Sequence, residues 1–243
     1  MGQVPVTKSN SYLIVGNGKL ASHLKHYFSL LDIPHNIWNR KSNVTFMEAA
    51  GSSAKIILAI SDGSIEPFIN EYKELADVTW IHCSGALTTP LAESAHPLMT
   101  FSDELYDLDT YKSIPFITES GRKSFKVLFP ELPNPGYVIN PEQKSYYHAW
   151  CSIAGNFTSI LWLEFFERFK SNFGIDKEAL FPYLEKISFN LTKVDNPLTG
   201  PLARGDESTI KRHLLALQND NYLDVYESFY RAFKQSSLNK EAL

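Results

Sequence analysis

One stretch of the chain carries polar side chains at helical spacing among aromatic residues: Lys144, His148, Cys151, Ser152 and Asn156. At about 100° per residue, these positions fall within roughly 140° of arc on one helix face. Histidine ordinarily titrates near neutral pH, so His148 is the expected proton donor or acceptor, with Lys144 or Ser152 one turn away. Lys144 could serve as an acid only if burial lowered its pKa. The alternative is that His148 satisfies a backbone group in the core.

The same pattern limits how many of these residues can act together. Lys144 and Asn156 would lie about 18 Å apart along an α-helix, so all five side chains cannot touch one small molecule. We therefore expect Lys144, His148 and Ser152 to carry the chemistry and Asn156 to contact a substrate.

Two further residues are expected to contact a substrate. His96 precedes Pro97 in a loop that follows a predicted strand, and its alternative role is a loop-stabilising hydrogen bond. Arg204 lies between a proline and a glycine just before a predicted helix, where its guanidinium could hold a carboxylate through two hydrogen bonds. Alternatively, Arg204 pairs with Asp206 and fixes the loop.

A glycine-rich turn near the start of the chain predicts a nucleotide site. The apolar run Tyr12–Val15 predicts a buried strand, and it is followed by Gly16-Asn17-Gly18-Lys19-Leu20-Ala21 and then by an amphipathic helix pattern. This G-x-G-x-x-A motif lets a pyrophosphate approach the backbone at the start of the helix. The expected contacts are Gly16, Asn17, Gly18, Lys19 and Leu20, and the alternative is a plain strand-to-helix turn.

The end of the second predicted strand distinguishes between dinucleotides. It reads Asn39-Arg40-Lys41-Ser42, without the acidic residue that usually binds the ribose of NAD. Two cations and a hydroxyl group there suit a 2′-phosphate, so the expected cofactor is NADP(H). A solvated basic turn is the alternative. Ile60, Ser61 and Ser84 also follow strands and are expected near the ribose or nicotinamide, although each serine could be an ordinary turn residue.

Strand and helix patterns alternate up to about residue 139, which predicts a Rossmann-type, mainly parallel α/β sheet. The predicted strands lie near residues 12–15, 35–38, 55–60, 78–83, 113–118 and 136–139, with helices near 20–31, 65–75 and 121–129. After Pro141 the pattern becomes all-helical, with helices near 142–173, 176–191, 206–217 and 220–233. We therefore expect an NADP-binding domain over residues 1–140 and a helical substrate and dimerisation domain over residues 141–243.

Composition excludes several classes of partner. The chain has 243 residues and a net charge of −4, and it has no basic tract, so nucleic acid is an unexpected partner. The apolar stretch 153–166 is too short and too polar to span a membrane. No signal peptide is evident. The two cysteines, Cys83 and Cys151, lack the spacing of metal ligands or of a disulfide framework, which favours a reducing cytoplasm. The aromatic second half, which includes Trp150, Phe157 and Trp162, predicts a homodimer.

Longer segments resemble a known family. GNGKLA, SGAL and HPLMTF resemble a Rossmann-like NADP oxidoreductase domain, and KSYYHAWCSIAGNF and LTGPLARGDESTIKRHL resemble the helical domain of unknown function that follows it. That pair is similar to pyrroline-5-carboxylate reductases and to the 6-phosphogluconate-dehydrogenase-like group. The resemblance implies a bound nicotinamide cofactor and dimer contacts through the helical domain, but it supplies no substrate.

Two functions follow as hypotheses. The first is an NADP-dependent oxidoreductase that transfers a hydride to or from a small carbonyl or imine compound. The second is a non-catalytic NADP(H) sensor, since a fold does not determine a function. The polar face around His148 favours the enzyme. A deazaflavin-dependent NADP reductase ranks lower, because such compact enzymes lack a second domain.

Overall fold

The structure is a computed structural model that describes residues 11–51, 53–75 and 77–236. It divides into two compact units, Met1–Leu161 and Trp162–Leu243. The boundary expected from sequence, after residue 140, precedes this division, so the helix that begins at Lys144 belongs to the first unit. The assignment of cofactor and substrate roles to separate domains stays a prediction.

A five-stranded parallel sheet forms the centre of the first unit. Its strands run in the order β2-β1-β3-β4-β5. They are β1 Tyr12–Val15, β2 His35–Trp38, β3 Lys55–Leu58, β4 Thr79–His82 and β5 Glu93–Ser94. The first four are the strands expected from the apolar runs in the sequence, while β5 has two residues and is too short to give a periodic pattern.

The remaining strands of the described residues form a second, three-stranded sheet. The sequence predicted only one sheet. It contains β6 His96–Pro97, β7 Phe116–Glu119 and β8 Gly136–Ile139, and β7 pairs antiparallel with β6 and parallel with β8. The strand predicted at 113–118 therefore begins and ends later than expected. Pro115 fixes its own φ and has no N–H, so the ladder begins only after it.

Alternate residues of the parallel strands enter two separate cores. Tyr12, Ile14, Ile57 and Ile81 pack on one face of the sheet, and Leu13, Val15, Ile56 and Leu58 pack on the other. The first face is covered by α1 Lys19–Leu30, α4 Leu108–Ser113 and α5 Phe125–Leu128, and the second by α2 Phe46–Ala50 and α3 Asp62–Glu71. Strands buried on both faces explain the continuous apolar runs in the sequence. The short helices α2 and α4 were not predicted.

The helix expected over 142–173 changes its geometry along its length. A 3₁₀ turn, Pro141–Gln143, leads into α6, Lys144–Cys151, which continues as a π-helix, Ser152–Phe157, and then as α7, Thr158–Phe173. A π-helix bonds residue i to i+5 and is wider than an α-helix, so a face drawn at 100° per residue is valid only as far as Cys151. The helical spacing used for Asn156 therefore does not apply within this segment, and the place of Asn156 on the face of Lys144 and His148 stays a prediction.

The second unit is helical, as expected. After the 3₁₀ turn Lys177–Leu180 it contains α8 Phe181–Lys193, α9 Gly200–Ala203, α10 Glu207–Ala216 and α11 Leu223–Gln235. The Asp206 carboxylate caps α10 by accepting a hydrogen bond from the Thr209 N–H, which confirms the predicted helix start. Within residues 11–51, 53–75 and 77–236, no helix has both the length and the apolar character needed to cross a bilayer.

Candidate functional site

The glycine-rich turn joins β1 to α1, where the motif requires it. Gly16 has φ +144°, and a Cβ atom there would overlap the Ala59 carbonyl oxygen, so only glycine fits. Gly18 is the residue that precedes α1, and a Cβ atom added there would meet no atom within 4 Å. The backbone at the start of α1 is thus open to an approaching group.

The other residues of the turn are mostly on the surface. Asn17 and Lys19 are exposed, and Lys19 forms an exposed ion pair with Asp103 at 3.4 Å. Leu20 is half-buried against the first core. These placements leave the N–H groups of the turn accessible, and the role of all five residues in binding a cofactor stays a prediction.

A pocket of about 360 Å³ opens beside this turn. The guanidinium of Arg40 and the ammonium of Lys41 are exposed, and neither has an ion-pair partner among the described residues. Asn39 and Ser42 shape the turn, because the Ser42 hydroxyl accepts the Asn39 N–H at 3.0 Å and the Asn39 side chain accepts the Lys41 N–H at 2.9 Å. The pocket is lined by Val15, Gly16, Asn17, Trp38, Asn39, Arg40, Lys41, Ile60, Ser64 and Phe68.

The two serines expected near a nicotinamide differ in the exposure and the hydrogen-bond partners of their hydroxyl groups. The Ser84 hydroxyl is buried, donates to the Asp62 carboxylate at 2.6 Å and accepts the N–H groups of Ala86 and Leu87. It therefore holds the turn after β4, as the alternative interpretation stated. Ser61 is exposed at the start of α3, and its hydroxyl lies 2.9 Å from that of Ser64.

Lys144 is buried at the start of α6, with 2% of its side chain exposed. Its ammonium donates to the Glu119 carboxylate at 2.6 Å, to the Ser94 hydroxyl at 2.7 Å and to the Leu87 carbonyl oxygen. Burial lowers the pKa of Lys144, and the charge and hydrogen bond of Glu119 oppose that shift. All three ammonium protons are engaged by the protein, so in this arrangement Lys144 connects three segments of the first unit and has no free proton to donate to a substrate.

Sequence analysis missed Glu119, the partner of Lys144. Glu119 is 4% exposed and ends the apolar strand β7. A carboxylate that closes an otherwise apolar strand is the signal that was available, because glutamate is almost never fully buried without a partner.

Two histidines expected to act separately come together at Gly85. The imidazole rings of His96 and His148 are half-buried, with centroids 5.7 Å apart and planes almost perpendicular. A Cβ atom on Gly85 would lie 2.9 Å from His96 Nε2 and 3.0 Å from His148 Nε2. A Cβ atom there would also overlap His148 Cδ2, so the two imidazole rings pack directly against the Gly85 backbone, and only a residue without a side chain fits at that position.

Tyr147, which sequence analysis also missed, completes this group. Its hydroxyl lies 2.7 Å from His96 Nδ1. Burial lowers the pKa of His96 to about 4, and the nearby positive charges of His148 and Lys144 act in the same direction. Burial, with a contribution from Cys151, raises the pKa of Tyr147. At neutral pH, therefore, His96 is uncharged and Tyr147 keeps its proton.

The remaining predicted residues lie on more open surfaces. Ser152 is half-buried and Asn156 is exposed, both within the π-helix. Arg204 is exposed at the end of α9 and has no ion pair with a described residue. Its expected alternative partner, Asp206, instead accepts hydrogen bonds from Ser208 and Thr209. The pairing of Arg204 with Asp206 is therefore wrong, and substrate contacts by Arg204 and Asn156 stay predictions.

Comparison with known families accounts for the second half of the chain. Residues 114–233 match the model of a domain of unknown function, DUF2520. No curated protein matches the chain significantly.

Solved structures with the same architecture cover nearly the whole chain. A candidate NADP oxidoreductase from Bacteroides fragilis has a TM-score of 0.74 at 18% identity, covering 95% of this chain and 100% of that one. A reductive aminase from Aspergillus terreus, in complex with NADPH, has a TM-score of 0.57 at 16% identity, covering 94% and 89%. For the Plasmodium falciparum pyrroline carboxylate reductase with bound NADP, the values are 0.56 and 13%, covering 92% and 98%. These likenesses confirm the expected fold class, a Rossmann-type parallel sheet followed by a helical region.

The buried ion pair gives a stability prediction. Replacing Lys144→Met leaves the Glu119 carboxylate buried without its cation, so the free energy of unfolding should fall by about 3–5 kcal/mol in urea denaturation. The double variant Lys144→Met/Glu119→Leu removes both charges and should recover most of that loss.

Lys25 provides the matched control, because it is exposed on α1 and Lys25→Met should change the unfolding free energy by no more than about 0.5 kcal/mol. If Lys144→Met were as stable as the control variant, the ion pair would not hold α6 in place.

Proposed function

We propose that this protein is an NADP(H)-dependent oxidoreductase that transfers a hydride to or from a small carbonyl or imine compound. One observation carries the proposal. The open turn at Gly18, the cations after β2 and the histidine pair above Gly85 all follow the carboxyl ends of strands in one parallel sheet. Ligands of open α/β sheets bind at that edge, so a cofactor held at the first two places would extend towards the third.

The residues around the first pocket fit a dinucleotide phosphate. The N–H groups that follow Gly18 at the start of α1 would bind the pyrophosphate, and the exposed Arg40 and Lys41 would bind a 2′-phosphate. Asn17 and Leu20 flank the turn, and Ile60 lines the pocket wall. The structures of the reductive aminase and the pyrroline carboxylate reductase were determined with NADPH and NADP, which supports the same cofactor here.

The nicotinamide cofactor, when bound, supplies or accepts the hydride. The protein must then donate or accept the proton, and we assign that role to His148, whose imidazole is half-buried against Gly85 in the turn after β4. The exposed Ser61 and the half-buried Ser152 are further proposed contacts, and Arg204 is the proposed anchor of a substrate carboxylate. Both cysteines are free thiols, in accord with a reducing cytoplasm.

The related structures favour turnover over a purely sensory role. An imine reductase from Myxococcus stipitatus, in complex with NADP⁺, has a TM-score of 0.60 and covers 93% of this chain at 13% identity. The deciding experiment is a screen of NADPH oxidation against small keto acids, ketones and imines. Tight NADPH binding with no oxidation across that panel would favour the sensor.

We also propose a homodimer formed through the helical unit. Among the described residues of that unit, only Leu180 and Ile210 are buried hydrophobic residues, while large apolar side chains on several helices stay exposed. Such exposed apolar surface is typical of a protein interface. The exposed residues include Leu163, Phe189, Leu191, Leu215 and Phe229.

Cofactor choice is the first test. NADPH should bind more tightly than NADH, and Arg40→Ala should weaken NADPH binding about tenfold or more, because one charge-assisted contact to the 2′-phosphate is lost. Isothermal calorimetry measures both constants. NADH binding should stay unchanged in Arg40→Ala, and Lys25→Ala serves as the control for a lost surface charge. Equal binding of NADH and NADPH to the unaltered protein would overturn the assignment.

The proton donor is the second test. His148→Ala should lower kcat about a hundredfold or more, the usual scale for a general acid, while the Kd for NADPH stays unchanged. Stopped-flow measurement of NADPH oxidation with the best substrate from the screen gives both values. Full turnover in His148→Ala would leave His148 with the alternative role, a histidine that only supports the fold.

Assembly is the third test. Light scattering at micromolar protein should give twice the chain mass, and Leu163→Asp should shift the protein towards a monomer because the charge would be buried in the interface. Leu163 is 67% exposed in the isolated chain. Val127→Asp, on the exposed side of α5, is the matched control and should not change the mass. A monomer at this concentration would refute the dimer.

A further inference from the structure

We propose that Asp103 competes with the cofactor pyrophosphate for the ammonium group of Lys19 and thereby weakens the binding of NADP(H). The inference rests on the cofactor assignment in the proposed function, but it depends neither on turnover nor on the substrate. It assigns Asp103 as a residue that sets the affinity for the cofactor through Lys19.

Lys19 lies where a pyrophosphate would bind. It is the first residue of α1 and directly follows Gly18 in the glycine-rich turn. The N–H groups at the start of an α-helix have no partner within the helix, and together with the helix dipole they attract anions. No side chain caps α1, and its first turn contains no acidic residue. Lys19 is therefore the charged side chain that this turn offers to an anion.

Asp103 reaches the same end of α1 from another part of the chain, the loop 98–107 between β6 and α4. Its carboxylate lies 3.4 Å from Lys19 Nζ. The Asp103 side chain is 90% exposed and the Lys19 side chain is 56% exposed. Opposite charges that are this exposed attract each other only weakly, so the pair can open without disturbing the fold.

The loop that carries Asp103 is held against α1 by the buried His23. The Ser102 carbonyl oxygen lies 3.0 Å from His23 Nε2. The rings of Phe101 and Tyr106 have their centroids 4.9 and 4.6 Å from that of His23. Because residues on both sides of Asp103 contact α1, the carboxylate stays beside the start of that helix.

Lys19 is the partner that can move. A lysine ammonium is carried on a flexible four-carbon stem, whereas the short side chain of Asp103 projects from an anchored backbone. Lys19 would be attracted more strongly by a pyrophosphate, which carries more negative charge than one carboxylate. Lys19 must leave Asp103 to make that contact, so the ion pair offsets part of the attraction.

The size of the effect depends on how often the ion pair forms. An exposed pair that is formed about three quarters of the time leaves Lys19 free for about one quarter, and the apparent Kd for a ligand that needs Lys19 then rises about fourfold. Salt screens exposed charges, with a Debye length of about 3 Å at 1 M. The effect of Asp103 should therefore disappear at high ionic strength.

Isothermal calorimetry of the full-length protein with NADPH tests the proposal. Asp103→Asn removes the charge and nearly keeps the shape of the side chain, so NADPH should bind about fourfold more tightly at low salt. The gain should fall below about twofold at about 1 M salt. Asp109→Asn is the matched control, because it removes a similarly exposed carboxylate, which lies 3.8 Å from Lys112. The control should leave the Kd unchanged.

A double-variant cycle distinguishes competition for Lys19 from direct repulsion between Asp103 and the cofactor. Lys19→Met should weaken NADPH binding, and the further change Asp103→Asn should then alter the Kd by less than about twofold. If Asp103→Asn tightened binding as much in the Lys19→Met protein as it does alone, Asp103 would not act through Lys19 and the proposal would be wrong.

Two fragments of the cofactor show which of its groups Asp103 affects. The fragment 2′-phospho-ADP-ribose contains the pyrophosphate but no nicotinamide, and Asp103→Asn should tighten its binding as much as that of NADPH. Adenosine 2′-monophosphate lacks the pyrophosphate, so its Kd should not change. An equal gain for adenosine 2′-monophosphate would reveal a general effect of net charge and overturn the proposal. Equal NADPH affinities of the Asp103→Asn and Asp109→Asn proteins would overturn it as well.

Failure of this inference is distinguishable from failure of the proposed function. NADPH binding without oxidation of any substrate would contradict the oxidoreductase, while the Asp103→Asn titrations would still decide the role of Asp103. If the unaltered protein bound no NADPH, the cofactor assignment and the role of Asp103 would both be wrong.

Discussion

The buried ion pair between Lys144 and Glu119 is the interaction on which the arrangement of the site depends. A lysine and a glutamate that are both almost fully buried are stable only when each satisfies the other and the remaining donors are bonded. Lys144 meets this condition by bonding the last residue of β7, a hydroxyl of β5 and a carbonyl oxygen of the loop after β4. One side chain thus ties α6 to three separate segments of the first unit.

This tie determines where the next turn of α6 lies. Ser94 bonds Lys144 and His96 bonds Tyr147, and the two acceptors are two residues apart in the chain. The helix therefore meets the strand segment at two consecutive points, one charged and one neutral. His148, the residue after Tyr147, is then placed over Gly85, and neither rotation nor sliding of α6 is possible without breaking one of these bonds.

The sequence was sufficient for the parts of the fold that repeat a local pattern. The apolar runs of β1 to β4 predicted the strands of the sheet, because burial on both faces leaves a continuous apolar signature, and the glycine-rich turn predicted the join between β1 and α1. The two-residue strands β5 and β6 were missed, since two residues cannot show a period. The second sheet that β6 helps to form was missed with it.

The sequence predicted several residues of the candidate site, but it did not predict what each side chain contacts. His96 and His148 were both selected from sequence, but the sequence could not show that their rings lie side by side against Gly85, because 52 residues separate them and the contact arises from tertiary packing. Lys144 was selected for chemistry because a lysine on a polar helix face cannot be distinguished from a buried one without its partner. Glu119 and Tyr147 stand among apolar and aromatic neighbours, where their local sequence gives little sign of a polar role.

The π-helix limits what helical spacing can predict beyond Cys151. The spacing rule assumes 3.6 residues per turn, whereas the turn from Ser152 to Phe157 is wider, so the rule cannot place Asn156 relative to Lys144 and His148. π-helical turns are rare and are frequently found at functional sites, which is consistent with the location of this one directly after His148 and Cys151.

Charge balance explains why histidines rather than lysines pack against Gly85. Lys144 is already a buried cation, and its charge is matched by Glu119. A second fixed cation nearby would have no carboxylate of its own, since Asp62 accepts the Ser84 hydroxyl and lies exposed at the start of α3. An imidazole can be neutral there and still donate a hydrogen bond, which a lysine cannot do without either a charge or a large shift of its pKa. His82 and His96 both follow this rule, because burial and the Lys144 charge keep each of them unprotonated. The buried ion pair therefore both positions α6 and determines which protonation states the neighbouring side chains can adopt.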